Sequence, residues 1–200
     1  MQDQTSSEIE QLERLKAGDL DAFEQLVEEH QDKLINTCFR FVHSRQDAED
    51  VAQEVFLEVH QSIDSFRGQS KLSSWIFRIA VTKSLDFVRR ANRKKRSGRL
   101  KRVLGWVNDG EQAAIEPEES RSALDELADK ERAEILRGAV DALPENQRIA
   151  VNLHNYQGFR YTEVAQIMET SVSSVESLLH RARKNLEKRL AHYFSKNFDN

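Results

Sequence analysis

Apolar residues along this chain recur at intervals of three and four, the period of an amphipathic helix, and few runs alternate with period two. In AFEQLVEEHQDKLINTCFRFV, the residues Phe23, Leu26, Val27, Leu34, Cys38, Phe41 and Val42 fall near one stripe. In DAEDVAQEVFLEVHQSI the stripe is Ala48, Val51, Ala52, Val55, Phe56 and Val59. SFRGQSKL breaks the pattern at Gly68, after which Ser73 or Ser74 is placed to cap a third helix carrying Trp75, Ile76, Ile79, Ala80 and Phe87. From about residue 93 to 128 the pattern fails. Gly98, Gly105, Gly110 and Pro117 sit there among first basic, then acidic residues, with local order expected around Leu104, Trp106 and Val107. Periodicity returns in ERAEILRGAVDAL and LPENQRIAVNLHNYQGF, where Pro144 suits a first helical turn and Gly158 a C-terminal cap. The prediction is an all-α protein: helical domains over residues 1–92 and 129–200, joined by a charged linker over 93–128.

Composition fits that picture. Of 200 residues, 38% are hydrophobic and 32% charged, with 7 Gly and 2 Pro, which suits small bundles with thin cores rather than one large core. No apolar run approaches the roughly 18–20 residues that span a bilayer, so no membrane insertion is expected. The opening MQDQTSSEIEQLERL is too polar and acidic for a signal peptide, and a cytoplasmic location is expected. The single Cys38, among Ile35, Phe39 and Phe41, reads as a buried small hydrophobe. His30, His43, His60, His154, His180 and His192 lack metal-ligand spacing, and no phosphate-binding Gly loop or nucleophile constellation is present. We therefore expect no catalytic residues, metal or cofactor.

Charge changes the picture more. The net charge of −4 hides segregation: residues 89–102, RRANRKKRSGRLKR, hold nine Lys/Arg and no acid. Residues 109–134 carry Asp109, Glu111, Glu116, Glu118, Glu119, Asp125, Glu126, Asp129, Glu131 and Glu134 against Arg121, Lys130 and Arg132. Local patches, not the total, select electrostatic partners.

The segment YTEVAQIM followed by SVSSVESLLHRARKNL has the rhythm of a helix-turn-helix. Val164, Ile167 and Met168 face inward, and Thr162 is a candidate N-cap. In the second helix Leu179, Ala182, Leu186 and Leu190 fall within roughly 60° of Val175, with Leu178 on the other flank of the stripe. Ser177, His180, Arg181, Lys184 and Lys188 gather opposite, as on a recognition helix. Glu176 follows Ser173 by three residues, the spacing of a capping box. That role is preferred over accepting from a cytosine amino group.

Four stretches now stand in order: DAEDVAQEVFLEV, SFRGQSKLSSWIFRIAVTKSLDFVRR, ALPENQRIAVNLHNYQGFRYTEVAQIM and SVSSVESLLHRARKNL. Together they resemble regions two and four of a bacterial extracytoplasmic-function (ECF) sigma factor, of the sigma-70 family of RNA polymerase sigma subunits. The resemblance implies promoter-directed transcription initiation by core RNA polymerase, with contacts to its β′ clamp coiled coil and β flap. It assigns Asp50, Gln53 and Glu54, with Asp47 and Glu58, to core-polymerase binding. It assigns Arg67, Gly68, Gln69, Ser70 and Lys71, with Arg78, Lys83, Arg89 and Arg90, to minus-10 recognition and melting. Phe66 fits either core or base stacking, and Trp75 the core. To the minus-35 element it assigns Arg160 and Tyr161 at the entry, then Ser173, Ser174, Ser177, His180, Arg181 and Lys184; Arg181 suits either guanine or phosphate. The basic run reads as contact with phosphate or the polymerase channel. The family also implies an anti-sigma factor. This chain departs from a common family form by Glu176 and Leu178 in place of a Lys and an Arg, and by Glu169 in place of a turn Gly. The resemblance therefore carries no phosphate contact over to Glu176 or Leu178, and left-handed strain is expected at Glu169.

Two other readings compete. A conventional helix-turn-helix regulator would bind duplex DNA without polymerase, usually at a two-fold site. A helical adaptor protein would use its charge patches for solvation alone.

Overall fold

The computed structural model describes residues 2–103 and 123–198, with side chains placed over 9–94 and 131–191. Every regular element among the described residues is helical. The helices are α1 (Gln2–Lys16), α2 (Leu20–Val42), α3 (Arg45–Ser62), α4 (Leu72–Val103), α5 (Ala123–Asp141), α6 (Glu145–Val151), α7 (Tyr161–Ile167) and α8 (Val172–Phe198). A 3-10 turn follows α3, and a π-helical turn, Asn152–Tyr156, follows α6. No described helix is long and apolar enough to cross a membrane.

Compactness does not follow chain order. One unit holds Met1–Ala91 together with Asn152–Glu176; the other holds Asn92–Val151 with Ser177–Asn200.

In the first unit, side-chain caps open α2 and α3. Asp19 accepts from the amides of Asp21 (3.0 Å) and Ala22 (3.2 Å) to open α2, and Arg14 holds its carboxylate at 2.8 Å. That guanidinium and the two amides keep Asp19 below the usual carboxylate range. Ser44 opens α3 by accepting from the Asp47 amide at 3.3 Å. The predicted stripes form the core, with Leu26, Leu34, Cys38, Ala48, Val55, Ile76 and Ala80 fully buried. Each Leu or Ile so removed from water contributes about 2 kcal/mol. Phe23, Val27, Val42, Phe56, Ile79 and Phe87 line the half-buried margin instead. Burial pushes the Cys38 thiol up to about 11, as suits a packing residue.

Local expectations shift in three places. Helix α4 is already running at Leu72, so Ser73 and Ser74 lie in its first turn and neither caps it. Its far end continues to Val103, through the first part of the stretch read as linker. Lys and Arg are good helix formers, and one interior Gly98 costs only about 1 kcal/mol. Helix α5 likewise starts early, at Ala123, in a run of Ala, Leu, Glu and Lys. Leu104, Trp106, Val107 and the acids from Asp109 to Glu119 lie outside the described residues.

In the second unit, Ala139, Val140, Leu143, Ile149, Ala150, Val151 and Ala182 are buried. Asn185 donates to the Gln147 side chain at 2.8 Å, and Arg189 to the Ala142 carbonyl at 3.1 Å, tying α8 to the α5–α6 corner. Pro144 precedes α6, its carbonyl accepting from Gln147 and Arg148, and Gly158 (φ 71) ends the turn that follows.

Candidate functional site

Three surfaces collect the residues singled out above. The first is the outer face of α3. Asp50, Gln53, Glu54 and Glu58 are exposed and Asp47 half-buried, while Val51, Ala52, Val55 and Val59 turn inward. At about 100° per residue the five polar positions span one face, and Leu57 falls near its centre, roughly 20° from Asp50. Leu57 is 60% exposed. Sequence reasoning passed over it, although its position off the apolar stripe was available. The rim of this face is already paired: Lys83 lies 3.4 Å from Glu58 and 4.0 Å from Glu54, and Arg90 lies 3.9 Å from Glu54.

The second surface is the loop before α4 and the start of that helix. Gly68 takes φ 69, a left-handed conformation that suits Gly, and Arg67, Gly68 and Gln69 are exposed. Phe66 and Trp75 are both buried, their rings 5.2 Å apart, so Phe66 belongs to the core beside Trp75. Lys16 fixes the loop by donating to the Phe66 carbonyl at 2.8 Å. Arg67, Gln69, Ser70 and Arg78 line one side of a cleft of about 640 Å³ whose other side is Thr162, Gln166, Glu169 and Ser171.

Four cations of this surface have carboxylate neighbours. Lys71 lies 3.4 Å from Glu163, Arg78 pairs with Glu169, Lys83 meets Glu58, and Arg89 meets Asp86 at 3.2 Å. Between the first two pairs, Ser74 donates to the Gln166 side chain at 2.8 Å. Burial pushes Glu163 up, but the Arg160 amide and the Lys71 ammonium outweigh it and hold its carboxyl below the usual range.

The third surface is the helix-turn-helix, where the caps differ from expectation. Helix α7 begins at Tyr161 with Arg160 in the cap position, and Glu163 accepts from the Arg160 amide at 2.9 Å. Thr162 therefore lies inside the first turn. Ser171, not Ser173, caps α8: its hydroxyl accepts from the Ser174 amide at 3.1 Å and meets the Ser173 and Ser174 hydroxyls at 3.0 and 2.9 Å. The helix starts two residues before the reading from S-x-x-E, because three serines compete and the earliest ends the turn. Glu176 is then exposed, past the first turn. Glu169 does adopt left-handed backbone, with φ 50. Val175 and Ala182 are fully buried, whereas Ser173, Ser177, His180, Arg181 and Lys184 are exposed and Ser174 is half-buried. Arg160 and Tyr161 are exposed at the entry.

No cluster of three or more metal-ligating side chains occurs among the described residues. Comparison with known proteins places these surfaces in context. Family models described as sigma-70 region 2 and sigma-70 region 4 match residues 26–94 and 133–186. The RNA polymerase sigma-H factor of Pseudomonas aeruginosa is 32% identical over 187 residues, 93% of this chain and 95% of that one. The ECF RNA polymerase sigma-E factor of Escherichia coli K12 is 32% identical over 186 residues, covering 90% and 92%. Among solved structures, the sigma factor RpoE in complex with the anti-sigma factor NepR, from Bartonella quintana, is similar in fold: TM-score 0.58 and 23% identity over 84% of this chain and 96% of that one.

Proposed function

The chain belongs to the sigma-70 family as an RNA polymerase sigma factor of the ECF type, and on that footing we propose how its surfaces divide the work of initiation. A sigma factor performs no covalent chemistry. It brings core RNA polymerase to promoters and assists in opening them.

Asp50, Gln53 and Glu54, with Asp47 and Glu58 beside them, dock on the β′ clamp coiled coil. Charge complementarity sets the orientation there, and Leu57 at the centre supplies the apolar anchor that a docking face of acids lacks. The loop Arg67–Lys71 receives an unstacked base of the minus-10 strand. Arg78, Lys83, Arg89 and Arg90 track its phosphates, offsetting the cost of melting. The recognition helix α8 enters the major groove of the minus-35 element with Ser177, His180, Arg181 and Lys184, Ser173 and Ser174 forming its tip. Arg160 and Tyr161 sit at the phosphate backbone, and this module engages the β flap. An anti-sigma factor, as in the Bartonella relative, controls access. The site of action is the cytoplasm, where RNA polymerase works.

The observation that carries the DNA-reading assignment is the two-sidedness of α8: Val175 and Ala182 are fully buried while Ser177, His180, Arg181 and Lys184 face solvent. Run-off transcription with purified core polymerase tests the scheme. Asp50→Lys with Glu54→Lys abolishes holoenzyme assembly, and Arg181→Ala lowers promoter binding with assembly intact. Arg181→Ala with unchanged promoter choice refutes the recognition face.

A further inference from the structure

The cap found at the start of α8 changes what Glu176 can do. The S-x-x-E spacing assigns its carboxylate to the Ser173 amide. In the structure α8 is already running at Val172, and Ser171 accepts from the Ser174 amide at 3.1 Å. Ser173 is therefore a helical residue rather than a cap, and the capping box does not form. Glu176 is exposed, and among the described residues its carboxylate has no hydrogen-bond or ion-pair partner. Two arginines of the same helix are engaged elsewhere: Arg183 with Glu187 at 2.9 Å, and Arg181, through Nε, with the Ser177 carbonyl at 3.2 Å.

Direction around the helix axis then sets this acid among the DNA-reading residues. Val175 and Ala182 are fully buried and fix the inward direction; the outward direction lies opposite. At about 100° per residue, Ser173, Ser177, His180 and Lys184 fall within about 30° of the outward line. Glu176 and Arg181 each lie about 70° from it, one on either flank. An angle that admits Arg181 to the groove admits Glu176 as well. Glu176 is also more than a turn nearer the N-terminal end, the end that reaches base edges. Its flank is not built for phosphate. Val172, one turn earlier and about 40° away, is 38% exposed, while Lys184, Lys188 and Arg181 lie at or beyond the centre of the face. An apolar side chain fits a thymine methyl, and a carboxylate fits an amino group on a base edge.

We propose that Glu176 is a specificity-determining residue of the minus-35 contact: its carboxylate accepts from the N4 amino group of a cytosine in the major groove. The inference rests on the assignment of α8 as the minus-35 reading helix. Guanine and thymine present acceptors there, O6, N7 and O4, which repel a carboxylate, and adenine sets its N7 acceptor beside its N6 donor. A wrong base leaves the carboxylate stripped of water with no donor, so discrimination comes from that penalty as much as from the bond. The acid also repels phosphates wherever the helix lands. That lowers affinity for every sequence alike and leaves cytosine as the base that offsets the loss.

The test uses holoenzyme assembled from core polymerase and the full-length chain, selecting among promoter fragments randomised over the minus-35 element. The parent should favour cytosine about tenfold at one position of one strand. Glu176→Ala should flatten that position and leave the others as they are. Glu176→Lys replaces an acceptor with a donor suited to guanine O6 and N7, so the preference there should turn from cytosine to guanine. Position 176 is exposed, so both variants should keep the parent's melting temperature and its assembly with core polymerase. Three results overturn the proposal: a parent with no cytosine-favouring position, an Ala variant with the parent's preferences, or a Lys variant that binds every fragment more tightly alike. The last marks Glu176 as a charge near phosphate and nothing more. Arg181→Ala in the same selection separates the failures. If it leaves every position unchanged, the recognition face is misassigned and the inference falls with it. If it relaxes a position while the Glu176 variants relax none, the role of Glu176 alone is wrong.

Discussion

Glu169 is the residue at which backbone and side chain pull in opposite directions, and three substitutions separate the two. It follows the Met168 cap of α7 with φ 50, and its amide and that of Thr170 reach back to the carbonyls of Gln166 (3.3 Å) and Ala165 (2.9 Å). This pattern of paired back-reaching amides usually places Gly at the left-handed position. A side chain there costs about 1–2 kcal/mol through the clash of Cβ with the following carbonyl. Glycine recovers that cost but loses about 0.4–1 kcal/mol through the greater freedom of its unfolded chain. The net gain of Gly over Ala is therefore about 0.5–1 kcal/mol.

Against this stands the pair with Arg78, in which the Glu169 side chain is 69% exposed. An exposed pair is worth about 0.2–1 kcal/mol and is screened by salt. Glu169→Ala should thus lose about half a kcal/mol, and Glu169→Gly should melt at or slightly above the parent. For a chain of this size 1 kcal/mol moves the Tm by about 2–4 °C, so Gly should exceed Ala by about 1–4 °C in far-UV circular dichroism melts. In about 1 M salt, Glu169→Gln should converge on the parent while the gap between Gly and Ala persists. If Gly and Ala melt together, the turn stores no strain and the backbone argument fails.

Further outcomes follow from burial and charge. Phe77 is 1% exposed and lies against His30, Phe159 and Lys33, so Phe77→Ala should cost about 3–5 kcal/mol, read from the urea midpoint; a loss below about 1 kcal/mol refutes its place in the core. Leu57→Ala should leave the melt within about 0.5 kcal/mol and weaken core-polymerase binding about tenfold, measured by fluorescence titration; an unchanged affinity removes Leu57 from the docking face. Burial against Phe77 holds the His30 imidazole below its ordinary value, with Glu29 opposing. The folded form is then the more reluctant to bind a proton, so stability is full above about pH 6.5 and declines as pH falls through the folded value. His30→Phe should flatten the decline in Tm between about pH 7 and pH 5; an unaltered slope assigns that dependence to other groups.

The helices were legible because their apolar stripes are self-sufficient signals. Ala48, Val51, Ala52, Val55 and Val59 share a face whatever lies opposite, so the period alone places them in the core. Boundaries were less legible because they turn on competition between neighbours. Three serines around the start of α8 each qualify as a cap, and only the path of the chain out of the Glu169 turn selects Ser171. The end of α4 shows the same limit from the other side: a basic, apolar-poor stretch has no stripe to read, yet Lys and Arg continue a helix once it is running.

Charges were the hardest to read, since a carboxylate has no period and its role depends on what faces it. Glu58 and Glu163 look alike in the sequence, each an acid on an amphipathic helix. In space Glu58 borders an outward acidic face and meets Lys83 at 3.4 Å, whereas Glu163 caps α7 through the Arg160 amide and reaches Lys71. The partner is 92 residues away, beyond any motif's reach. Yet the spacing of Lys71, Ser74 and Arg78 mirrors that of Glu163, Gln166 and Glu169 closely enough for helix-by-helix charge matching to nominate the pairing. The acid at Glu169 gains sense from the same match. A turn Gly would relax the backbone but give Arg78 no partner, so at Glu169 an ion pair stands against the cost of left-handed backbone.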